Sequence, residues 1–399
     1  MLDIWPAFPI VVMCHERPHL QLRGVLDVIA ALECPDRVCE INLQGVLDNL
    51  LEKVAAINVP LPALTSLQLS SGFGVYGSLG QPIINDSFLG GIAPRLRSFD
   101  LHGIPFPAPQ KLLSSATGLV TFRLEFIPRI GYISPEEVVT CLSGLARLEE
   151  LALGFQTFRL PPPDPQQTNQ SLHPAPSTVL PSLTSFRFRG HCRYLEVLIT
   201  RIAFPLLGNF DVSFISWRNV DSPPICKFVS RIEALDMHHR ADISFHDGSV
   251  NITLSRNEGL VDCRKIKLGI LCRTLDLQLL RLMQLRSFFL PSLPTLEHLY
   301  IHAHGSFSLD CHQFSTETLR WLEILHPFTL VKKLYLSEKL ALRVARALQG
   351  LSGDKVTEVL PALQNISFLG HEPSGDILKA IGKFNATLQL SGRSVSVHY

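Results

Sequence analysis

The stretch LPALTSLQLS (61–70) decides the fold, because its pattern L-x-x-L-x-L returns along most of the chain. Its final apolar-x-apolar alternation predicts a short strand with one buried face. Phrases of this kind occur twelve times, at intervals of about 23 to 35 residues, which brackets the leucine-rich repeat range and slightly exceeds it. They span 37–46, 61–70, 93–104, 117–127, 145–155, 180–190, 204–214, 231–239, 262–270, 293–303, 329–337 and 360–370.

Short helical segments are predicted between several of these strands. PEEVVTCLSGL (135–145) follows Ser134 as an N-cap, with Pro135 at the first helical position. LALRVARALQGL (340–351) has an apolar period of 3.6 residues, whereas DSFLGGI (86–92) offers a single turn. The order predicts an α/β fold: an irregular leucine-rich repeat solenoid (horseshoe), with a parallel sheet on its concave face and short helices or loops on its convex face.

The repeat pattern also sets the predicted domain organisation. Residues 1–35 are a lead-in or capping segment, and residues 36–399 form the degenerate solenoid. The turns after the strands lack a regular asparagine ladder, so we expect irregular repeats. The segment PPPDPQQTNQSLHPAPST (161–178) is polar and proline-dense, which predicts a flexible insertion between two repeats.

Composition narrows the classes of function. Hydrophobic residues make up 46% and charged residues 18%, and 36 basic against 35 acidic residues give a net charge of +1. A chain with so little net charge has no electrostatic reason to bind nucleic acid or an anionic membrane. Nine scattered cysteines suit a reducing compartment, and we identify neither a signal peptide nor a membrane-spanning run. We therefore expect a cytoplasmic or nuclear protein.

A glycine triplet raises the alternative of a nucleotide-dependent enzyme. Gly72-x-Gly74-x-x-Gly77 follows a strand-like run, and Asp100 lies near the spacing of a ribose-binding carboxylate. A dinucleotide site needs a helix at the third glycine, but Pro82 and further glycines follow it. We interpret the triplet as the turn leaving a repeat strand, and Asp100 as a solvent-facing strand residue.

The phrase YIHAHGSFSLDCHQF is the densest candidate for a metal site. It contains His302, His304, Cys311 and His312, of which the first two fall on one side of a strand or its exit. The spacing matches no familiar zinc pattern, so we favour a structural or surface role and predict no bound metal. A metal-dependent enzyme remains a less favoured alternative.

Other reactive side chains are scattered. Cys34 and Cys39 in CPDRVC have no matching pair elsewhere, which favours buried thiols. The order G-x-S-x-G of a nucleophile elbow is missing around Ser78. We expect no catalytic site and no cofactor. The remaining residues, given structural or surface roles, are His238, His239, His246, Glu136, Glu137, Glu149 and Glu150.

The polar x positions of the strands form the predicted binding surface. In a parallel solenoid they project side by side and make one extended concave face. Arginine and tyrosine are frequent hot-spot residues of interfaces, and the mixture of charge signs favours a specific protein partner. The candidate partner-binding residues are Asp100, His102, Arg123, Glu125, Arg187, Arg189, Asp211, His298, Tyr300, His302, Lys333 and Tyr335.

Several longer phrases resemble the F-box proteins with irregular leucine-rich repeats of mushroom-forming basidiomycete fungi. The resemblance covers nearly the whole chain. It rests on MLDIWPAFPIVV, DRVCEINL, LPALTSLQL, DSFLGGIAPRLRSFDLHGIPFPA, GYISPEEVVTCLSGLARLEELALGF, LPSLTSFRFRG, WLEILHPFTLVKKLYLS, VTEVLPALQNISFLG and AIGKF.

The resemblance implies that the repeats select a substrate for a cullin-type ubiquitin ligase. In that family an N-terminal F-box docks onto a Skp-type adaptor, but this chain begins with what looks like the segment after that module. We therefore expect a non-enzymatic protein-recognition module whose partner is an unidentified protein. A Skp-type adaptor and cullin are expected as partners only if an F-box is supplied or dispensable. The alternative is a truncated gene product that lacks ligase recruitment.

Overall fold

The structure is a computed structural model in which the chain forms two compact units, unit 1 (Met1–Leu207) and unit 2 (Gly208–Tyr399). None of its described helices is long and apolar enough to cross a membrane. The structure describes residues 8–15, 28–46, 48–71, 82–156, 177–215, 223–232, 238–256, 264–289, 293–305, 314–351, 355–370 and 374–398.

Unit 1 contains a parallel sheet in which each strand pairs with the next repeat strand along the chain. Two short strands form a separate pair, β7 with β9. The sheet order is β1 (Ile10–His15), β2 (Val38–Val46), β3 (Ser66–Ser71), β4 (Ser98–His102), β5 (Thr121–Ile127), β6 (Glu150–Phe155) and β8 (Ser185–Gly190); the pair is β7 (Thr178–Val179) and β9 (Ile202–Ala203).

Alternation along these strands divides buried from outward-facing side chains. In β4, for example, Phe99 and Leu101 are fully buried while their neighbours are partly exposed. Aromatic rings extend this core from strand to strand, as in the 5.9 Å contact between Phe99 and Phe122. Each buried side chain of this size contributes about 1.5–3 kcal/mol to folding. The L-x-x-L-x-L phrase therefore specifies the core side of the sheet.

The helices of unit 1 follow their strands in sequence and present buried apolar side chains. In α3 the N-cap is a complete capping box, because Ser134 Oγ accepts from the Glu137 amide while a Glu137 carboxylate oxygen accepts from the Ser134 amide. The turn leaving β4 needs a glycine: Gly103 has φ +73°, and a Cβ there would meet Ser71 Oγ at 2.7 Å. The helices are α1 (Asp48–Ala55), α2 (Gln110–Ser115), α3 (Pro135–Leu142) and α4 (Cys192–Arg201), with 3₁₀ turns at Phe88–Gly91 and Arg129–Gly131.

Unit 2 interrupts the parallel pattern with one antiparallel strand. Its sheet order is β10-β13-β12-β11-β14-β15-β16-β17, and only β12 among these described strands runs antiparallel to both neighbours. A two-residue Asp247–Gly248 turn joins β11 to β12. The strands are β10 (Asn209–Phe214), β11 (Arg240–His246), β12 (Ser249–Ser255), β13 (Lys265–Leu271), β14 (His298–Ala303), β15 (Lys333–Ser337), β16 (Asn365–Leu369) and β17 (Ser396–His398).

The helices of unit 2 enclose a buried ion pair. Glu317 in α7 is 3% exposed and lies 2.5 Å from the Arg343 guanidinium of α8. Trp321, fully buried against Phe245 of the sheet, donates its indole N–H to the same carboxylate. The helices are α5 (Pro223–Val229), α6 (Leu275–Leu285), α7 (Phe314–Leu325), α8 (Glu338–Gln349), α9 (Lys355–Glu358) and α10 (Gly375–Leu390), with 3₁₀ turns at Arg286–Phe289 and Leu293–Thr295.

The predicted α/β repeat fold is confirmed, with one local exception. Eleven of the twelve repeat phrases overlap a described strand, and the predicted α3, α8 and the turn near 86–92 are present. At the phrase 231–239, residues 233–237 lie outside the described residues, and the next strand, β11, begins after it. The hairpin of β11 and β12 was not predicted, although Asp-Gly between alternating apolar residues is a strong hairpin signal.

Two predicted segments fall largely outside the described residues. The glycine triplet lies within 72–81 and most of the proline-rich insertion within 157–176. The insertion was predicted to extend to residue 178, but Thr178 already belongs to strand β7, which pairs with β9. Within the predicted lead-in, β1 pairs in parallel with β2. The sheet of unit 1 therefore includes a strand that precedes the first repeat phrase.

Candidate functional site

The outward side chains of β4 to β8 form a continuous surface, which we call the unit 1 face. Strand register places Asp100 opposite Arg123, His102 opposite Glu125, and Gly154 opposite Arg189. All six candidate residues of unit 1 are on this face, as the period-two pattern predicts. Its polar side chains therefore come together from strands far apart in sequence.

One set of charges on the unit 1 face is internally matched. The Arg123 guanidinium binds Glu150 through two hydrogen bonds of 2.6 and 3.0 Å, and it approaches Asp100 at 3.4 Å. The bidentate bond to Glu150 raises the pKa of Arg123. Burial raises the pKa of the Asp100 carboxyl, and the nearby arginine offsets only part of this effect. Arg123 is therefore committed chiefly to Glu150, which was predicted to be only a surface or capping charge.

Small residues on β6 allow charges two strands apart to meet. Arg187 of β8 binds Glu125 of β5 at 2.9 Å, although β6 lies between them. The intervening outward positions are Ala152 and Gly154, which carry almost no side chain. Ala152 is fully buried beneath its larger neighbours. The centre of the unit 1 face is thus a shallow depression crossed by one ion pair.

A bulge in β5 adds an aromatic ring to the unit 1 face. The register between β5 and β6 shifts between Leu124 and Ile127, and Phe126 has φ +54°. This left-handed backbone is strained for a phenylalanine. As a result both Glu125 and Phe126 are half-buried on neighbouring positions instead of alternating between core and surface.

Phe126 joins two predicted site residues into one group, which we call the Arg189 cluster: His102, Phe126 and Arg189. The imidazole of His102 lies 4.6 Å from the Phe126 ring, and the Arg189 guanidinium lies 4.6 Å from the centre of that ring. Arg189 Nε is buried and has no hydrogen-bond acceptor. Burial lowers the pKa of Arg189, and the nearby Glu125 opposes this only in part. The cluster therefore holds a cation that the face leaves incompletely satisfied.

The outward side chains of β10 to β16 form the unit 2 face, which is rich in aromatic rings. Tyr300 and Tyr335 stack almost in parallel at 4.1 Å, and the Arg240 guanidinium lies 3.7 Å from the centre of the Tyr300 ring. His298 is nearly parallel to Tyr335 at 6.3 Å. Exposed Lys333 is paired with His298 in the strand register. Arginine on tyrosine is a favourable cation–π arrangement.

The second part of the unit 2 face contains imidazoles. Asp242 lies between Arg240 and His302, at 3.2 Å from each. His302 packs edge-on against His304 at 4.5 Å, and His304 stacks with His246 at 4.8 Å. Burial lowers the pKa of His302 despite the opposing effect of Asp242, and burial is also the main reason why the pKa of His246 is lowered. His302 and His246 therefore favour the neutral state.

The last candidate of unit 2, Asp211, pairs with Lys267 at 3.6 Å. All twelve candidate residues thus occupy outward strand positions, but Tyr300 is only 7% exposed because its neighbours cover it. The role of the twelve in binding stays a prediction. Phe126, Arg240 and Asp242 also belong to these faces, although they were not among the predicted residues. For Phe126 the strand alternation indicated burial, and only the adjacent apolar pair Phe126–Ile127 hinted at a bulge.

The structure gives no group of three or more His, Cys, Asp or Glu side chains that could hold a metal ion in the ranges it describes. Cys311 and His312 of the predicted cluster lie outside those ranges. Cys34 and Cys39, predicted to be buried thiols, are half-buried. Cys39 donates its thiol to the Ile10 carbonyl at 3.4 Å across the β1–β2 pair.

Comparison with protein-family models and with curated proteins found no match. Among solved structures, the chain is similar to the leucine-rich repeat-containing protein LegL7 from Legionella pneumophila. The two share 15% sequence identity with a TM-score of 0.34, and the likeness covers 87% of this chain and 98% of the other. At that score we draw nothing from the likeness, and we base the repeat architecture on strand register and burial alone.

Proposed function

We propose that this chain is a non-enzymatic protein-recognition module that binds its partner through the open strand faces. The observation that supports this most is the Arg240–Tyr300–Tyr335 stack, held on three strands of one sheet. Arginine and tyrosine dominate interface hot spots because they combine large contact area with hydrogen-bonding groups. A rigid sheet fixes their positions before binding, which reduces the entropy lost on association.

The mixed charges of the unit 1 face also support a protein partner. Arg123 pairs with both Asp100 and Glu150, and Arg187 pairs with Glu125. Such a patterned surface favours a partner with matching charges, whereas a polyanion would favour uniform positive charge.

The finer proposal is substrate recognition for ubiquitination, and its support is the resemblance of the repeat phrases to basidiomycete F-box proteins. Affinity purification of the tagged chain from its own cells, followed by mass spectrometry, tests both levels. A reproducible partner together with a Skp-type adaptor and cullin would support ligase recruitment. A partner without ligase subunits would support a stand-alone recognition module and contradict the finer proposal.

A matched pair of variants tests whether the unit 1 face makes the contact. We expect Arg187→Glu with Arg189→Glu to weaken partner binding by at least about tenfold, since close charge pairs at interfaces couple by more than about 1.5 kcal/mol. The control, Arg129→Glu with Arg147→Glu, makes the same charge change at exposed positions outside the strands. Equal affinity of the two variants in a titration would remove this patch from the proposal.

A further inference from the structure

Arg189 is placed as an anion-binding group. Its guanidinium packs on the Phe126 ring at 4.6 Å, which fixes the side chain without using its hydrogen-bond donors. Its buried Nε has no acceptor. An arginine carries five N–H donors and keeps its charge at neutral pH, so an unmatched guanidinium beside an aromatic ring is well suited to a planar anion.

The carboxylates nearby are committed to other arginines. Glu125 accepts from Arg187 at 2.9 Å, and Glu150 holds Arg123 in a bidentate pair. Asp100 faces Arg123 at 3.4 Å. Three arginines and three carboxylates share the unit 1 face, yet one arginine is shared by two of the carboxylates. The positive charge of Arg189 is the one left over.

The local backbone keeps this charge accessible from the open side. Gly154 lies opposite Arg189 in the register, and a Cβ there would be 3.4–3.6 Å from the β5 bulge and from Arg189 Cβ. Without a side chain at this position, the Phe126 ring and the Arg189 side chain meet across β6. The β5 bulge, in which Phe126 adopts φ +54°, directs the ring to this place.

We propose that the Arg189 cluster is a subsite for the side-chain carboxylate of an Asp or Glu on a partner protein. The proposal rests on the recognition function above and names the chemistry of the partner. Glu125, which adjoins Phe126 in the β5 bulge, already places one carboxylate near Arg189, and this disfavours a dianionic phosphate more than a single carboxylate. Chain-terminal carboxylates are typically captured by backbone N–H nests, whereas here the donor is a guanidinium on an open sheet.

Nuclear magnetic resonance of arginine Nε–Hε groups tests the subsite without knowledge of the natural partner. The full chain carrying ¹⁵N-arginine is titrated with acetyl-Gly-Asp-Gly-amide, and Arg189→Lys identifies the signal by its disappearance. We expect a saturable shift of the Arg189 signal and none of Arg123, whose Nε is held by Glu150 at 3.0 Å. Acetyl-Gly-Asn-Gly-amide, which lacks the charge, should leave both signals in place.

Two further probes distinguish the source of the anion. Acetyl-triglycine with a free C-terminus and methyl phosphate should each bind more weakly than the Asp peptide. The proposal would be overturned if acetyl-triglycine or methyl phosphate bound more strongly than the Asp peptide. It would also be overturned if the Asp peptide shifted the Arg189 signal no more than the Asn peptide does, or gave no saturable shift. Phe126→Ala should weaken binding of the Asp peptide, because the Arg189 guanidinium loses the ring on which it packs. An unchanged titration curve with a folded Phe126→Ala variant would also contradict the proposal.

The same variants separate this subsite from the recognition function. We expect Arg189→Gln to lower the affinity for the natural partner by about tenfold or more, as the loss of a charge-assisted hydrogen bond would. Arg147→Gln should leave that affinity unchanged. A partner that binds Arg189→Gln as tightly as the wild type would refute the subsite and leave the recognition function standing. If the Asp peptide binds but no protein partner is found, the subsite stands and the recognition function is refuted.

Discussion

Removal of the Glu317 carboxylate is expected to destabilise unit 2 strongly. One oxygen accepts from the buried Trp321 indole at 3.2 Å, and the other faces the Arg343 guanidinium at 2.5 Å. The side chains of Glu317 and Arg343 are 4% and 12% exposed, so water cannot replace the lost partner easily. The pair links two neighbouring helices, α7 and α8, at the point where they cover the sheet.

The magnitude follows from what Glu317→Ala leaves behind. Removal of one partner of a buried ion pair typically costs about 3–5 kcal/mol, because a buried charge is left uncompensated. The unsatisfied indole N–H is part of that cost, at about 1–3 kcal/mol by itself. We therefore expect Glu317→Ala to lower the free energy of unfolding by about 4 kcal/mol. Glu317→Gln retains an acceptor for Trp321 and should cost less.

Urea unfolding followed by Trp321 fluorescence measures this effect locally. The chain has three tryptophans, so a background with Trp5→Phe and Trp217→Phe leaves Trp321 as the reporter within unit 2. Glu317→Ala, Arg343→Ala and the double variant are compared in that background. A double-mutant cycle then isolates the interaction between the two side chains.

The cycle should show a coupling of at least about 1 kcal/mol, because the double variant removes both members of the ion pair. Leu319→Ala provides a matched control, since Leu319 is on the same helix but 61% exposed. It should change the free energy of unfolding by less than about 0.5 kcal/mol. Additive effects of Glu317→Ala and Arg343→Ala, or a loss no larger than that of the control, would refute this reasoning.

Two smaller predictions concern stability. Ser134→Ala removes the capping box of α3 and should cost about 1 kcal/mol, measured as a lower midpoint of thermal unfolding; no change would contradict the contribution of the cap. Because burial lowers the pKa of His302 in the folded chain, its contribution to stability is full above about pH 6.5 and decreases as the pH falls below it. The loss of stability between pH 7.5 and 5.5 should be smaller in His302→Gln than in the wild type, and an equal loss would exclude His302 as a source.

The repeat strands could be predicted because burial alone specifies them. In LTSLQLS, Leu67 and Leu69 are buried while Ser66 and Gln68 face outward, as the alternation indicates. The hairpin of β11 and β12 does not follow the repeat template, and its position between β13 and β14 depends on long-range pairing. The alternation of residues within one strand does not specify which other strand it pairs with.

The partners within the faces could not be predicted for a similar reason. Alternation placed Arg187 and Glu125 on the outward side, but their contact depends on the small side chains of β6 between them. Phe126 left the core only because the β5 bulge shifts the register. Such contacts depend on three strands at once, whereas each sequence phrase describes one.

Site-specific photo-crosslinking tests the central claim, partner binding by the open strand faces, most directly. A benzophenone amino acid is placed at Ser98 or Ser367 on the faces, and at exposed Thr140 or Lys383 on the helices as controls. We predict that cell-purified chains crosslink the same partner from a strand position and not from either helix position. Crosslinks from the helix positions alone would contradict the account.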